Sequence, residues 1–530
     1  MQHDVDVLVV GAGPVGLFLA CDLARRGIAV RLVDRNAGPT DLSKALGIHA
    51  RTLEAFQDLG IAHTAIARGL PIPAAAFYSH RRQLGRVRFE RLESPFPFLL
   101  DLEQGQTERL LMEHLASLGG RDERNCALTG FEQDEDGVTA TLEHGDGRRE
   151  TCRARYMVGC DGAHSTVRHG LGLGFSGEAL PSNMLLADVR LEWSIPGNEV
   201  VIAFAGGSLL FVAPLASGRA RVIGDLHSDV ETPDLATVQA MLDERSPVPA
   251  QASDPVWLTN FRISERQVER YRERRVFLAG DAAHIHSPAG GQGMNTGIQD
   301  AYNLAWKLAL AVQGVAARGL LDSYDAERRP VGAQVLAQTG RMLRTAQVAS
   351  PLGRFLRDSA MSLLMQRRRV QRTIIGQLSQ LAVAYDDSPI VMTSWHHAHH
   401  GLHAGQRAPD GPVVEARSAT ATTLFEAKRG TGHVLLGFGA GDETGPLLQA
   451  AEAAVARHGD TVRALLVMPG EGNPPAGFSH VDPGGKLHGR YGASAPSLYC
   501  IRPDGYIGLA CRPPDIGAVG RYFARIFRSD

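Results

Sequence analysis

The chain is 530 residues long, which at the usual ~100–200 residues per domain predicts about three domains with large cores and excludes a disulfide-stapled peptide. Apolar residues make up 44% and charged residues 21%, the balance of a soluble globular protein rather than a membrane-spanning or disordered one. Lys plus Arg total 55 against 57 Asp plus Glu, a formal charge of −2, so no net field calls for nucleic acid or an anionic membrane as partner.

Residues 5–10 read as a strand, 11–16 as a Gly-rich turn, 17–26 as a helix and 28–33 as a second strand, the opening of a βαβ unit. The strand begins so early that no secretory leader is expected. Between 72 and 100, and again between 183 and 262, runs such as Val200-Val201-Ile202-Ala203-Phe204 alternate with turn residues. They predict an antiparallel sheet inserted into the first domain. Ile298 to Val312 has a helical period, and Lys307 within it rules out a membrane span. Leu352 to Leu381 reads as further helix, with Arg367-Arg368-Arg369 on a solvated face.

Residues 393–412 carry His396, His397, His399, His400 and His403 together with Gly and Pro, and read as a linker; without nearby Cys they are not taken as a metal site. From 413 onward, strands are expected at 433–438 and 462–467, then a hairpin at Asp504-Gly505. A short helix follows with Ile516, Val519, Phe523 and Ile526 on one face. The six cysteines, Cys21, Cys126, Cys152, Cys160, Cys500 and Cys511, form no C-x-x-C pair, which points to a reduced, cytoplasmic protein without dithiol exchange.

Glycine is the compositional outlier, with 59 residues, about 11% against a usual ~7%. Three stretches give the excess a meaning. Gly11-Ala12-Gly13-Pro14-Val15-Gly16 stands where a strand passes into a helix, so its glycines permit a tight turn and close approach of a pyrophosphate to the helix start. Asp34 ends the second strand, where a carboxylate meets an adenosine ribose. Cys160-Asp161-Gly162-Ala163-His164-Ser165-Thr166-Val167-Arg168 follows a second apolar strand. Leu278-Ala279-Gly280-Asp281 follows a third and continues through Ser287-Pro288-Ala289-Gly290-Gly291-Gln292-Gly293-Met294-Asn295 into a helix.

In that order and spacing the three motifs resemble the class A flavin-dependent aromatic hydroxylases, the single-component FAD monooxygenases related to p-hydroxybenzoate hydroxylase. Asp300-Ala301-Tyr302-Asn303-Leu304-Ala305-Trp306-Lys307-Leu308 is similar to the family's helix, and Ser323 to Pro330 to the turn after it. Ala404 to Asp410 and Arg502 to Ile507 resemble the phenol and polyketide hydroxylases that carry a thioredoxin-like C-terminal domain.

The resemblance implies an α/β fold: a Rossmann-like FAD-binding domain over 1–180 and 271–392, an inserted sheet domain over 181–270 joined by strands from 72–100, a linker over 393–412 and a thioredoxin-like domain over 413–530. It implies FAD as cofactor and NADPH or NADH as electron donor. The reaction implied is hydroxylation of a phenolic or polycyclic aromatic ring with O2 through a flavin C4a-hydroperoxide; oligomeric state is left open, with the third domain read either as a homodimer surface or as a structural cap. Gly11, Gly13, Pro14 and Gly16 would meet the pyrophosphate, and Asp34 the ribose, where Asp replaces the commoner Glu. Arg35, Arg51, Gln104, Leu128 and Asp161 match positions that contact FAD.

Gly280 and Asp281 would hold the ribityl chain, and the backbone of Gly293, Met294 and Asn295 would face the flavin's pyrimidine edge. Pro288 and Gly293 are the loop positions nearest the chemistry, with no acid or base assigned; Ser287 stands where relatives have a first proline, and Lys44 where Arg is frequent. Phe204 and Phe211 would supply apolar substrate surface, with Asn260 and Arg262 orienting a polar group. His284 and His286 would hold the flavin loop by hydrogen bonds. Two other readings are a flavin-dependent halogenase, suggested by Trp193-Ser194-Ile195-Pro196, and a non-catalytic FAD or ligand-binding module.

Overall fold

The computed structural model describes residues 3–40, 45–226, 232–287, 290–348, 350–395, 401–439, 444–471 and 474–528. The first sheet is built on five parallel strands in the spatial order Val276–Leu278, Arg149–Gly159, Val5–Val10, Val30–Val33 and Asp122–Glu123. Val7, Leu8 and Val9 are fully buried, as expected of a central parallel strand covered on both faces. Helix Pro14–Ala24 packs on this sheet and against the long helix Gly293–Val312. The two helices approach closely because Gly297 lacks a side chain: a Cβ there would stand 2.6 Å from Val15.

The inserted sheet has eight strands, led by two of 19 residues each, Phe175–Trp193 and Ala250–Val268. Strands Ala74–Ser79 and Arg82–Arg88 join its far edge, as the 72–100 pattern predicts. Helix Leu235–Arg245 covers one face, against Leu185, Leu210 and Val222. The other face carries Phe204, Phe211 and Leu209 toward helices Pro351–Leu364 and Arg368–Leu378. The single helix expected from Leu352 to Leu381 is therefore two. The break at Met365 and Gln366 lets the Met365 side chain pack beside Gly85, and the side-chain amide of Gln371 bonds the freed Met365 carbonyl at 2.6 Å.

A second difference lies at Ser323 to Pro330, expected as a turn. It opens the helix Asp322–Ala346, which runs through Pro330. Pro330 removes one backbone donor, yet Ser323, Tyr324, Glu327 and Arg328 on the same helix are all buried, and tertiary packing outweighs the local preference.

The third sheet also has eight strands and carries helices Gly445–His458 and Ile516–Phe523. The segment read as a linker belongs to it. Met392–Trp395 pairs in parallel with Ile507–Arg512, and the backbone of Gly405 and Ala408 bonds Ile507 and Gly505 at 2.7 and 3.0 Å. Gly- and His-rich composition signalled an irregular backbone, while the turn at 505–507 supplies that backbone with partners. His403 bonds Asp386 at 3.1 Å; His396, His397, His399 and His400 lie outside the described residues. Among the described residues no cluster of His, Cys, Asp and Glu is disposed to hold a metal, and no helix is long and apolar enough to cross a membrane.

The third domain is joined to the first by a shared core and a buried ionic cluster. Trp306 and Leu310 of the long helix pack with Leu435, Leu509 and Phe523. Arg502 reaches across to Glu327 with two bonds of 2.6 and 2.8 Å, Lys307 meets the same carboxylate at 2.7 Å, and Trp306 Nε1 donates to Asp504 at 3.2 Å. All four charged groups are essentially inaccessible. Removing one leaves its partners charged and dry. Arg502→Leu is therefore expected to cost about 3–5 kcal/mol, whereas Arg68→Ala, which breaks the exposed pair with Glu113, costs under ~1 kcal/mol. Urea unfolding of both variants checks the contrast; equal small losses would mean that the cluster does not join the domains.

Candidate functional site

Three turns leave the carboxyl ends of adjacent parallel strands and lie side by side. Val10 is in register with Gly159, and Gly159 with Leu278. The Cys160 N–H donates to the Val10 carbonyl at 2.7 Å and the Ala279 N–H to that of Gly159 at 3.0 Å, so the turns continue the sheet order. This is the edge at which an open α/β sheet receives a ligand. Gly11 has φ +104°, and a side chain there would collide with the Cys160 carbonyl. At Gly13 a Cβ would meet nothing within 4 Å, which leaves the start of helix Pro14–Ala24 open.

No side chain caps that helix, and none caps Gly293–Val312. Two helix starts thus offer backbone N–H groups and positive dipole ends toward one cleft, a fit for the pyrophosphate and for the electron-rich edge of a flavin.

Asp34 is 8% exposed and accepts from the N–H groups of Ala12 at 2.6 Å and Asn36 at 2.8 Å, so its carboxylate also fixes the turn. Arg124, which the motif reading missed, donates to the Ala12 and Gly38 carbonyls at 3.1 and 3.2 Å and lies 3.9 Å from Asp34. Gln104 opens the helix Gln104–Ser117, receives the Ala45 N–H at 3.3 Å and donates to Glu108 at 2.9 Å. Arg35 is exposed at the strand end, and Leu128 is a core residue opposite Leu142.

The Arg51 guanidinium bonds the Asp504 carbonyl and Glu54 and lies 4.8 Å over the Tyr506 ring, so it packs against the third sheet while its Nε is left unbonded.

Asp161 accepts the Val167 N–H at 3.2 Å with one oxygen and leaves the other unbonded; burial pushes its carboxyl above the usual range. Arg168 joins the second turn to the third by donating to the Ala163 and Ala282 carbonyls at 2.9 and 3.2 Å. Gly280 and Asp281 sit on the short turn Gly280–Ala282, with Asp281 exposed.

The turn is held from below by Asp300. Its Oδ2 accepts the Gly280 N–H at 3.1 Å and His284 Nε2 at 2.7 Å, and its Oδ1 accepts Arg328 at 2.7 Å. Asn295 receives the His49 N–H at 2.9 Å and donates to the Gly47 and Gly291 carbonyls, tying the start of the long helix to the neighbouring strand. Gly293 and Met294 open that helix, and a Cβ on Gly293 would lie 3.7 Å from the His286 ring. Pro288 lies outside the described residues.

Of the substrate candidates, Phe204 and Phe211 share a face, since Phe204 opposes Leu209 and Ile202 opposes Phe211. Asn260 opposes Leu185, which packs against helix Leu235–Arg245 on the opposite face, and Arg262 has the same parity. The pleat therefore sets Asn260 and Arg262 apart from the two phenylalanines. Trp193 and Ile195 belong to the helix-side cluster, which removes the structural basis for the halogenase reading.

Residues 4–339 match the FAD binding domain family. The chain is 38% identical over 520 residues to 6-methylpretetramide 4-monooxygenase of Streptomyces rimosus, covering 94% of this chain and 90% of the relative. The chain belongs to the FAD-dependent aromatic monooxygenases. Pentachlorophenol 4-monooxygenase of Sphingobium chlorophenolicum is 34% identical, with 95% and 93% covered. The solved anhydrotetracycline hydroxylase OxyS of Streptomyces rimosus superposes with a TM-score of 0.78 at 32% identity over 99% of both chains.

In this monooxygenase, Asp300, Arg328, His49 and Arg124 are site residues that the motifs did not single out. For Asp300 a signal was present: Asp300, Asn303 and Lys307 interrupt one face of an otherwise apolar helix. Burial alone would raise the Asp300 carboxyl, but Arg328 and His284 outweigh it and hold the group below its usual range. Burial pushes the imidazoles of His49 and His286 down to about 4.

Both histidines, depressed from 6.5, contribute stability that is present above the unfolded pKa and is lost as the pH falls from 6.5 toward 4. The depressed Asp300 adds a second loss below the ordinary Asp range near ~3.9. Unfolding free energy of the flavin-free protein is expected to fall in those two steps. His49→Asn with His286→Asn should shrink the first, leaving the share of His433, which burial pushes down to about 3, as read from urea titrations at successive pH values.

Proposed function

We propose that this monooxygenase hydroxylates a phenolic, polycyclic aromatic ring, with NADPH or NADH as the electron donor. The observation that carries this reading is the side-by-side placement of the three turns at the carboxyl ends of adjacent parallel strands, together with two helix starts that no side chain caps. The names of the relatives add support, since they act on tetracycline-type polyketides and on pentachlorophenol.

The residues divide the work by position. Backbone N–H groups of Gly13, Val15 and Gly16 would bind the pyrophosphate, with Asp34 reaching the ribose and Arg124 keeping the turn in place. Asp281 would take a ribityl hydroxyl. The N–H groups of Gly293, Met294 and Asn295 would stabilise negative charge at the pyrimidine edge. FAD, when bound there, supplies the oxygen activation. The protein's part is to exclude water and fix the ring. Phe204, Phe211 and Ile223 provide an apolar wall for that purpose.

Asp281→Ala is expected to purify with much less FAD than wild type, read from the flavin-to-protein absorbance ratio; full occupancy would remove Asp281 from the ribityl site. A productive phenol should accelerate NAD(P)H oxidation and yield a product heavier by one oxygen atom. If a broad panel of mono- and polycyclic phenols gives only hydrogen peroxide, the hydroxylase reading fails. If bound FAD is not reduced at all by NAD(P)H, a non-catalytic module is the better account.

A further inference from the structure

Two buried polar groups, one on the inserted sheet and one on a short neighbouring strand, have unbonded atoms. Asp101 ends the short strand Leu99–Asp101 and is in register with Gly47, on the strand that leads to His49. It is 2% exposed, and its Oδ2 has no hydrogen-bond partner. Arg221 lies on the strand Ala220–Leu226 of the inserted sheet and is 1% exposed. Its Nε and Nη2 hold Asp188 with two bonds of 2.8 Å, while Nη1 is buried without an acceptor. Leu99 of the Asp101 strand packs in the same cluster as Ala213, which opposes Arg221 on the inserted sheet, and Arg221 is the cation that acts on the Asp101 carboxyl. Burial raises that carboxyl well above its usual range, and Arg221 only partly offsets the effect.

Folded interiors pair their buried polar atoms, because each one left alone costs the desolvation of that group. An acid and a guanidinium that served only the fold would close on one another. Here the guanidinium turns two of its nitrogens to Asp188 and leaves the third open, and the carboxyl oxygen stays open as well.

The pair also stands in a telling place. Arg221 shares a sheet face with Ile223, which opposes Phe211. Its guanidinium lies 5.3 Å from the Trp257 ring, beside Asp188 in the same register. The apolar wall thus has one polar end. A neutral carboxyl donates an O–H and arginine donates an N–H, so the matching ligand atom is an oxygen that accepts from both, such as a phenolic or quinone-type ring oxygen.

We propose that Asp101 and Arg221 form a substrate-oxygen subsite, which grips one ring oxygen of the aromatic substrate between the inserted sheet and the strand Leu99–Asp101. The assignment rests on the reading of the cleft as an aromatic-hydroxylation site, and it deepens that reading by naming what orients the ring.

The test uses the full FAD-loaded protein, with 1-naphthol and 2-naphthol each compared with its methyl ether, whose single ring oxygen is a weaker, bulkier acceptor and fits the polar end poorly. Binding is read from the perturbation of flavin absorbance and turnover from NAD(P)H oxidation. Asp101→Leu is expected to keep its FAD and to unfold at the same or a higher temperature, because it removes an unbonded buried group. It should raise KM for the hydroxylated rings by roughly tenfold or more and lose the preference over the ethers. Asp101→Asn, which keeps an N–H donor, should retain most of that preference.

Arg221→Gln should lose the preference as Asp101→Leu does, and it carries the test if Asp101→Leu does not fold. Wild-type KM and preference in both Asp101→Leu and Arg221→Gln, or a wild-type protein with no preference, would overturn the subsite while leaving measured hydroxylation untouched. A wild type that hydroxylates nothing, yet prefers naphthol in a manner abolished by Asp101→Leu, would keep the subsite and overturn the hydroxylase reading.

Discussion

The carboxylate of Asp300 is where the cofactor turn, the long central helix and the helix behind it are joined. A fully buried carboxylate is unfavourable unless its lone pairs are met, and here a backbone N–H, an imidazole and a guanidinium meet them. Each partner comes from a different part of the chain. Gly280 belongs to the turn after the third parallel strand, His284 to the loop beyond it, and Arg328 to the helix Asp322–Ala346. The geometry of that turn is thus set by the charge balance of one residue on the helix underneath.

Glu327 and Arg328 are neighbours in sequence, and on a helix neighbours point about 100° apart. One side therefore satisfies Asp300 and the other receives Arg502 and Lys307. The same short piece of helix holds the cofactor turn and anchors the third domain. That domain is not an appendage, since its sheet shares a core with Trp306 and Leu310 of the central helix. Arg51 completes the arrangement from the opposite side. Its guanidinium lies over Tyr506 and bonds the Asp504 carbonyl, an orientation that its motif position did not announce. A motif records residue type and spacing, and it does not record which way a long side chain turns when a second domain offers an acceptor.

Much of the site was legible because it is built from backbone. The turns at Gly11–Gly16, Asp161–Gly162 and Gly280 need glycine or a small residue for reasons of local geometry, so the residue types mark them directly. The two phenylalanines of the inserted sheet lie on neighbouring strands, and their common face follows from the register of that pair. Asn260 and Arg262 were misplaced because polarity suggested a role while the register, which decides the face, depends on pairing with residues about 75 positions earlier. Asp101 carried no signal of its own. A single acid before a helix is ordinary, and its isolation arises only when Arg221, more than a hundred residues away, is folded against it and bonded to Asp188 instead.

The sequence by itself determined the strand-turn-helix units and their fitness for a dinucleotide, because these follow from periodicity and glycine placement over short distances, while the flavin came from the resemblance of three motifs in order. The tertiary structure alone decided which charged residues are buried and with whom. Asp300 with Arg328, Glu327 with Arg502, and Asp188 with Arg221 are pairings between residues far apart in the chain. A carboxylate's energy in a dry interior depends on the groups within a few ångströms of it, and those groups come from wherever the fold brings the chain together.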